Sequence, residues 1–531
     1  MIAASVIWGR AVVEGRVDGH PCRMYAERPR SMVELLTDAQ RWADRPFLVQ
    51  GERRLTGKEF SAMVARAAEL LRQRGAEPGR WVLLQGFNCI EWLVAFWALH
   101  VLSAPVALGN AWSSEHETAT VLDSVAPTLV VAGDEQRLPG GHTCLRFGDL
   151  RDVIARPGVI AFDPPAGDEE APALAIFSSG TTGLARGVVM SHRSVIANLH
   201  NLLILTGRVP GELGPAQSGT VSLVTMPLFH LGGIQTSILT MLTGGKIVFL
   251  AGRFDALEAL RLIEAEKVRA WGSVPTMVSR VIDHPDFATF DTSSIASVQM
   301  GGASVPQDLR AKVQRAFPAL SRRVGNMYGF TEAGGVLATG ASADIEGRPG
   351  CVGRPLPTVE LRIARPDADG VGEIVARTPT AVSGVLGEAM PIADAQGWMA
   401  SGDLGRLDDE GRLYVTGRAK DIIIRGGENV SSARVEAVLR SHADVLEVAV
   451  VALPHADLGE EVCAAIVTRS GSAVGVEALR AHAGSQLAKF EVPSRCWLRT
   501  DALPVNATGK VAKRDVVAQW PQPYCRVCEP V

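Results

Sequence analysis

Residues 173–187 read Ala-Leu-Ala-Ile-Phe-Ser-Ser-Gly-Thr-Thr-Gly-Leu-Ala-Arg-Gly. The first five, Ala173–Phe177, are an unbroken apolar run, the pattern of a strand buried on both faces. The character then changes at once. Ser178, Ser179, Thr181 and Thr182 bring four hydroxyls, and Gly180, Gly183 and Gly187 free the backbone to turn its N–H groups to one side. Arg186 adds a positive charge. Such a turn is composed to cradle an anion. It lacks the glycine-lysine-hydroxyl ending of a P-loop. A plain polar turn between strands is the competing reading, but four hydroxyls in five residues exceed what a connector needs.

Working outward, strand-like and helix-like stretches alternate on both sides. Residues 58–75 carry Phe60, Val64, Ala67, Leu70 and Leu71 at helical spacing, ending at Gly75. A strand is expected over Trp81–Gln85, and further short apolar runs at Thr128–Ala132, Val221–Met226, Lys246–Leu250, Ala270–Val274 and Ser297–Met300. This alternation predicts a layered α/β core. Residues 350–376, with short strands broken by Gly and Pro, predict a β subdomain. Leu413–Val415 reads as a strand and Gly417–Lys420 as a linker. Beyond it come strand Ile422–Ile424, a glycine turn, and a helix from about Ser432 with Val435, Val438 and Leu439 on one face. The predicted architecture is a large N-terminal domain, residues 1–418, of α/β subdomains plus a β subdomain, and a small mobile α+β domain, residues 419–531.

At 531 residues the chain is too long for one core. Its 53 basic and 57 acidic residues give a formal charge of −4, so no basic surface points to nucleic acid or anionic lipid. Trp92–Leu108 is the one membrane-like stretch. It is short, carries His100 and Ser103, and is broken by Pro105, so a buried helix running into a buried strand is expected instead. Met1–Gly9 lacks the basic start and cleavage site of a signal peptide. The eight cysteines are scattered. Only Cys525 and Cys528 are close, without further ligands for zinc. A reducing compartment, most simply the cytoplasm, is expected. The sequence leaves the oligomeric state open, a homodimer included.

Further motifs carry chemistry. Pro227-Leu228-Phe229-His230 places a histidine after an apolar run, where it either orients a carboxylate or is a satisfied core residue. Met300-Gly301-Gly302-Ala303-Ser304 ends a strand with glycines that admit a flat ring. Tyr328-Gly329-Phe330-Thr331-Glu332 combines an aromatic face, a hydroxyl donor and a hard oxygen ligand suited to Mg²⁺. Ser401-Gly402-Asp403 offers a carboxylate on a glycine turn. Arg418, Lys420, Gly426 and Gly427 surround the expected linker, and Glu436 follows on the helix. Leu503-Pro504-Val505-Asn506-Ala507-Thr508-Gly509-Lys510 puts a lysine on a glycine-marked loop.

These motifs, in this order from about Ser31 to Val516, resemble the adenylate-forming superfamily of acyl-CoA synthetases, firefly luciferases and peptide-synthetase adenylation domains. The resemblance is nearest to fatty-acid-type acyl-CoA ligases. It implies ATP, Mg²⁺ and coenzyme A as reactants, and with few polar candidates for the pocket a small-molecule carboxylic acid that is fatty or otherwise hydrophobic is expected as substrate. By resemblance, Ser178–Gly183 and Arg186 would hold phosphates. Gly302, Ala303, Tyr328 and Gly329 would pack on adenine, and Asp403 and Arg418 would hold ribose. Thr331 would donate to phosphate, and Glu332 with Thr181 would hold the metal. His230, Trp271, Gly272, Val274 and Pro275 would line the acyl pocket. Lys420 would be the hinge of the small domain, Gly426 and Gly427 would line the thiol passage, and Lys510 would be the catalytic lysine. Two departures stand out. Arg186 occupies the place of a Pro-Lys lysine, and residues 381–397 lack the aromatic Gly-Tyr-Trp stretch, so altered packing is expected there. Transfer to a carrier-protein thiol, and nucleotide binding without turnover, are the alternatives.

Overall fold

The structure is a computed structural model. It describes residues 7–521 apart from 157–166, 180–184, 215–217, 251, 301–306, 321–323, 341, 349, 388–391, 427, 470 and 506–510.

Two large sheets organise the N-terminal region. The first has seven strands, ordered Gly384–Val385, Ala185–Ser191, Pro172–Ser179, Val106–Gly109, Val82–Gln85, Leu129–Ala132 and Cys144–Arg146. Its central members are parallel. Val82, Leu83 and Leu84 are fully buried, as continuous apolar runs demand when helices cover both faces. The helix Ile90–Val101 is almost wholly buried and runs through a tight turn into strand Val106–Gly109. Among the described residues, no helix is long and apolar enough to cross a membrane. The helix Gly57–Gln73 begins with a capping box, in which Thr56 Oγ1 accepts from the Glu59 N–H while the Glu59 carboxylate accepts from the Thr56 N–H.

The second sheet is a hydrogen-bonded path of thirteen strands, with Arg53–Thr56 at one end antiparallel to Pro46–Gln50. Pro46–Gln50, Lys246–Phe249, Val221–Val224, Ala270–Ser273, Ser297–Met300 and Val324–Phe330 run parallel. At Val324–Phe330 the direction switches, and Gly335–Gly340, Cys351–Pro355, Leu413–Arg418, Met399–Leu407, Gly372–Arg377 and Glu360–Ala364 follow antiparallel. The expected β subdomain is therefore a continuation of the α/β sheet. A further correction concerns Gly417 and Arg418. They lie inside strand Leu413–Arg418, with Asp403 opposite Arg418, because that ladder runs to the last residue. The 3₁₀ turn Ala419–Asp421 follows that strand directly.

The C-terminal region has its own sheet, made of Ile422–Arg425, Glu428–Ser431, Val445–His455, Gly459–Thr468 and Arg495–Arg499. Helices Ser432–Arg440 and Val476–Gly484 cover a core containing Val435, Leu439, Val450, Ile466 and Leu479. Glu436 accepts from the Val450 N–H and pairs with Lys513 at 2.8 Å, so it stays within this core.

A histidine cluster lies under the N-terminal hairpin Val12–Tyr25. His200 stacks on Tyr25 at 3.8 Å and meets Trp8 edge-on at 5.0 Å, while His192 Nδ1 accepts from the Met32 N–H. Burial pushes both imidazoles down to about 4, against about 6.5 in an open chain. Between these values the unfolded chain binds more protons than the native one, so stability falls on acidification. Each group contributes up to about 1.4 kcal/mol per pH unit across that window. The melting temperature is expected to drop by several degrees between pH 7 and pH 5. His200→Phe, which keeps the stack but cannot titrate, should shrink that drop. Equal pH sensitivity in both proteins would contradict the assignment.

Candidate functional site

The site is built where the parallel sheet changes direction. Strand Val324–Phe330 runs directly into the 3₁₀ turn Thr331–Ala333, so Tyr328, Thr331 and Glu332 lie near the C-terminal end of a strand interior to the sheet. Tyr328 is 9% exposed, and its hydroxyl donates to Asp403 Oδ2 at 2.9 Å. Arg418 Nε contacts the other oxygen, Oδ1, at 3.0 Å. Burial pushes the Tyr328 phenol well above its ordinary range, and the Asp403 carboxylate pushes the same way, so the hydroxyl remains a donor.

Asp403 does not sit on a free turn. It lies within strand Met399–Leu407, and Gly402, at φ +70°, re-aims the chain inside the strand. Asp403 is 6% exposed, which leaves its carboxylate held between a phenol and a guanidinium. Glu332 has no cation beside it among the described residues. A half-buried carboxylate of this kind fits a hard cation that is otherwise held by substrate phosphates and water. No cluster of three metal-ligating side chains occurs among the described residues.

The strands on either side of residues 180–184 pair antiparallel. Pro172–Ser179 pairs with Ala185–Ser191, Ser178 lies opposite Arg186, and Arg186 is exposed. Strand Gly384–Val385 adds to the outer edge of Ala185–Ser191. Leu386 packs over Gly187 where the aromatic stretch was missing, its amide donating to the Gly187 carbonyl at 2.8 Å. Gly180, Thr181, Thr182, Gly183, Gly302, Ala303, Gly427 and Lys510 lie outside the described residues. So do the side chains of Ser178, Ser179 and Lys420.

On the acyl side, His230 is the N-cap of helix Leu231–Leu242. Asn88 fixes the approach to it. Its amide donates to the Met226 carbonyl at 2.9 Å and its oxygen accepts from the Leu228 N–H at 2.8 Å. Sequence reasoning missed Asn88, because nothing in its neighbourhood marks a contact about 140 residues away. An aromatic run leads from partly exposed Trp112 through Phe229 at 5.4 Å to His230 at 4.7 Å. It too was missed.

Trp271 corrects an expectation. It is 1% exposed and donates Nε1–H to Thr225 Oγ1, so it fills the core instead of facing an opening. Gly272 beside it does face space. A Cβ there would find only Thr236 Oγ1 at 3.5 Å and Met226 Cε at 3.9 Å. Val274 and Pro275 start the next helix and are buried.

At the linker, Ser431 Oγ donates to the Thr416 carbonyl at 3.0 Å, tying the small sheet to the end of the large one across the Ala419–Asp421 turn. Gly426, at φ +58°, turns the chain next to Leu458.

In comparisons with known proteins, residues 35–386 match the AMP-binding enzyme family and residues 434–510 match the AMP-binding enzyme C-terminal domain. The chain is similar to the 7a-methyl-dioxo-octahydroindenyl-propanoyl:CoA ligase of Mycobacterium tuberculosis, with 32% identity over 498 residues, 88% of this chain and 95% of that protein. It is similar to the indoleacetate–CoA ligase of Aromatoleum aromaticum, with 29% identity over 88% of this chain and 93% of that protein. Among solved structures it is similar to the ATP-bound RpMatB-BxBclM chimera B3. There the TM-score is 0.79 and the identity 25%, covering 92% of this chain and 98% of that one. The motif order, the two-part fold and a family match across more than half of the length agree: the chain belongs to the AMP-binding enzyme family.

Proposed function

We propose that this family member is an ATP-dependent acyl-CoA ligase that activates a hydrophobic, ring-bearing carboxylic acid. The observation that carries the reading is the Tyr328–Asp403–Arg418 cluster beside the Glu332 turn, in a chain whose relatives are named as CoA ligases. The acid's carboxylate oxygen attacks the α-phosphorus of ATP and pyrophosphate leaves. The thiol of CoA, losing its proton, then attacks the acyl carbon and AMP leaves. Asp403 would accept from the ribose hydroxyls, with Arg418 holding its other side. Arg186 and the hydroxyls of 178–182 would bind the outer phosphates. Glu332 and Thr181 would hold a magnesium ion, which when bound neutralises phosphate charge. His230 and the N-terminus of its helix would face the acid's carboxylate. The chemistry is positioning and electrostatics.

We place the domain boundary at 418/419, with Lys420 as the hinge, so that the small domain alternates between the two half-reactions. On this division the segment carrying Lys510 and the Gly426 turn both belong to the small domain. Six described cysteines are free, which supports a cytoplasmic enzyme. The ring-bearing acid is favoured because both ligases named above are named for ring-bearing acids.

The test is a panel of carboxylic acids with ATP and CoA, scoring AMP and pyrophosphate. Release of ADP, or no consumption of the adenylate by free CoA, would overturn the reading. Specificity gives a second check. Gly272→Leu should lower kcat/KM for fused-ring acids by at least about tenfold while sparing short acids, since a side chain there fills the space between Met226 and Thr236. Equal losses for short and long acids would remove Gly272 from the pocket.

A further inference from the structure

Helix His192–Thr206 carries a buried polar residue that neither half-reaction uses. Asn198 has no exposed surface. Its Nδ2 donates to the Val336 carbonyl at 2.7 Å, and its Oδ1 accepts from Gln235 Nε2 at 2.5 Å. Gln235 is 6% exposed and sits one turn into the helix headed by His230. Val336 lies four residues beyond Glu332 in the chain. Two carboxamides in an apolar interior are costly unless every group is paired, so a bond pattern of this kind fixes one arrangement of its neighbours.

The turn between Glu332 and Val336 is shaped to this pair. Gly335 has φ +134°, and a Cβ on it would stand 2.6 Å from Gln235 Nε2 and 2.8 Å from Asn198 Oδ1. On the opposite side a Cβ on Gly334 would stand 1.7 Å from the Thr380 carbonyl oxygen. Thr380 Oγ1 in turn donates to the Ala333 carbonyl, and the Val382 N–H donates to the Glu332 carbonyl at 3.2 Å. The Thr331–Gly335 turn is therefore lodged in a slot. One wall is the segment 380–382, and the other is the Asn198–Gln235 pair.

We infer that Asn198 is a positioning residue which, through Gln235, ties the helix that begins at His230 to the turn that carries Thr331 and Glu332. The acid side and the phosphate side of the site are thereby set against each other by one buried amide. The inference rests on the ligase reading for the roles of those two ends. The tie itself is a matter of structure.

The test uses the full chain with Asn198→Leu, which keeps the branching at Cγ, and Gln235→Met, which is close to its original in volume. Three quantities are read: the Kd of ATP in Mg²⁺ by titration calorimetry, the KM of an accepted acid, and the melting temperature. Loss of one such bond is worth on the order of tenfold. Asn198→Leu should raise the Kd of ATP about tenfold and raise the acid KM with it. Gln235→Met keeps the Asn198–Val336 bond, so it should raise the acid KM and leave the Kd of ATP within about twofold. A lower melting temperature with both constants unchanged would overturn the inference, since that is what a merely structural amide produces. If Asn198→Leu does not fold, Gln235→Met decides alone, and an unchanged acid KM refutes the tie. If wild-type chain shows no acid-dependent pyrophosphate exchange, the ligase reading has failed, and the calorimetric comparison still judges the tie.

Discussion

Lys510→Ala is expected to abolish acid-dependent exchange of pyrophosphate into ATP while sparing thioester formation from acyl-AMP supplied in solution. The physical reason is the meeting of two anions. A carboxylate approaching an α-phosphate is repelled until a cation bridges them, and the bridge is worth more in the transition state than before it. Loss of one such donor costs on the order of 10²–10³ in rate. The described ends of the loop suit the task. Val505 and Val511, which flank residues 506–510, form an antiparallel bridge, and the Ala512 N–H donates to the Pro504 carbonyl at 2.8 Å. Val505 and Val511 are themselves 43% and 36% exposed. Thioester formation needs this lysine withdrawn, which is why supplied adenylate should still react. Equal losses in both half-reactions would defeat the alternating-domain account.

The second large effect is expected from Asp403→Asn. The change keeps shape and removes the charge between Tyr328 and Arg418. A buried hydrogen bond to a charged group contributes about 1.5–3 kcal/mol. The Kd of ATP should therefore rise by about ten- to a hundredfold. Tyr328→Phe removes a single donor to the same carboxylate and should cost less, about tenfold at most. Calorimetry on the two variants checks the order. Wild-type affinity in Asp403→Asn would take the carboxylate out of the nucleotide site.

Much of the layering was legible because burial writes itself locally. Leu83 and Val131 sit in runs too apolar for anything but a covered sheet, and Phe60, Val64, Ala67, Leu70 and Leu71 at helical spacing announced a helix. Glu332 and Asp403 could be singled out by residue type, since each carboxylate stands in a short motif with a glycine beside an aromatic or hydroxyl residue. Distance defeated the rest. The Tyr328–Asp403 bond spans 75 positions and Asn88 to Leu228 spans 140, and no periodicity encodes such pairs. Trp271 was misjudged for a related reason. A tryptophan beside a glycine reads equally as pocket wall or core, and only the Thr225 hydroxyl decides. The continuity of the thirteen-strand sheet was hidden because its antiparallel half has the short, broken strands of a separate unit.

The hairpin that presents residues 178–186 has an electrostatic consequence. Many phosphate loops open directly into a helix, whose macrodipole lends about half a positive charge to the anion. Here the chain reverses into a second strand, and adjacent strand dipoles nearly cancel. In the proposed site the triphosphate therefore draws its attraction from turned backbone N–H groups and from side chains, Arg186 among them, instead of from a helix dipole. Exposed side-chain charges are screened beyond about 10 Å at 0.1 M salt, so nucleotide capture there is expected to weaken as ionic strength rises.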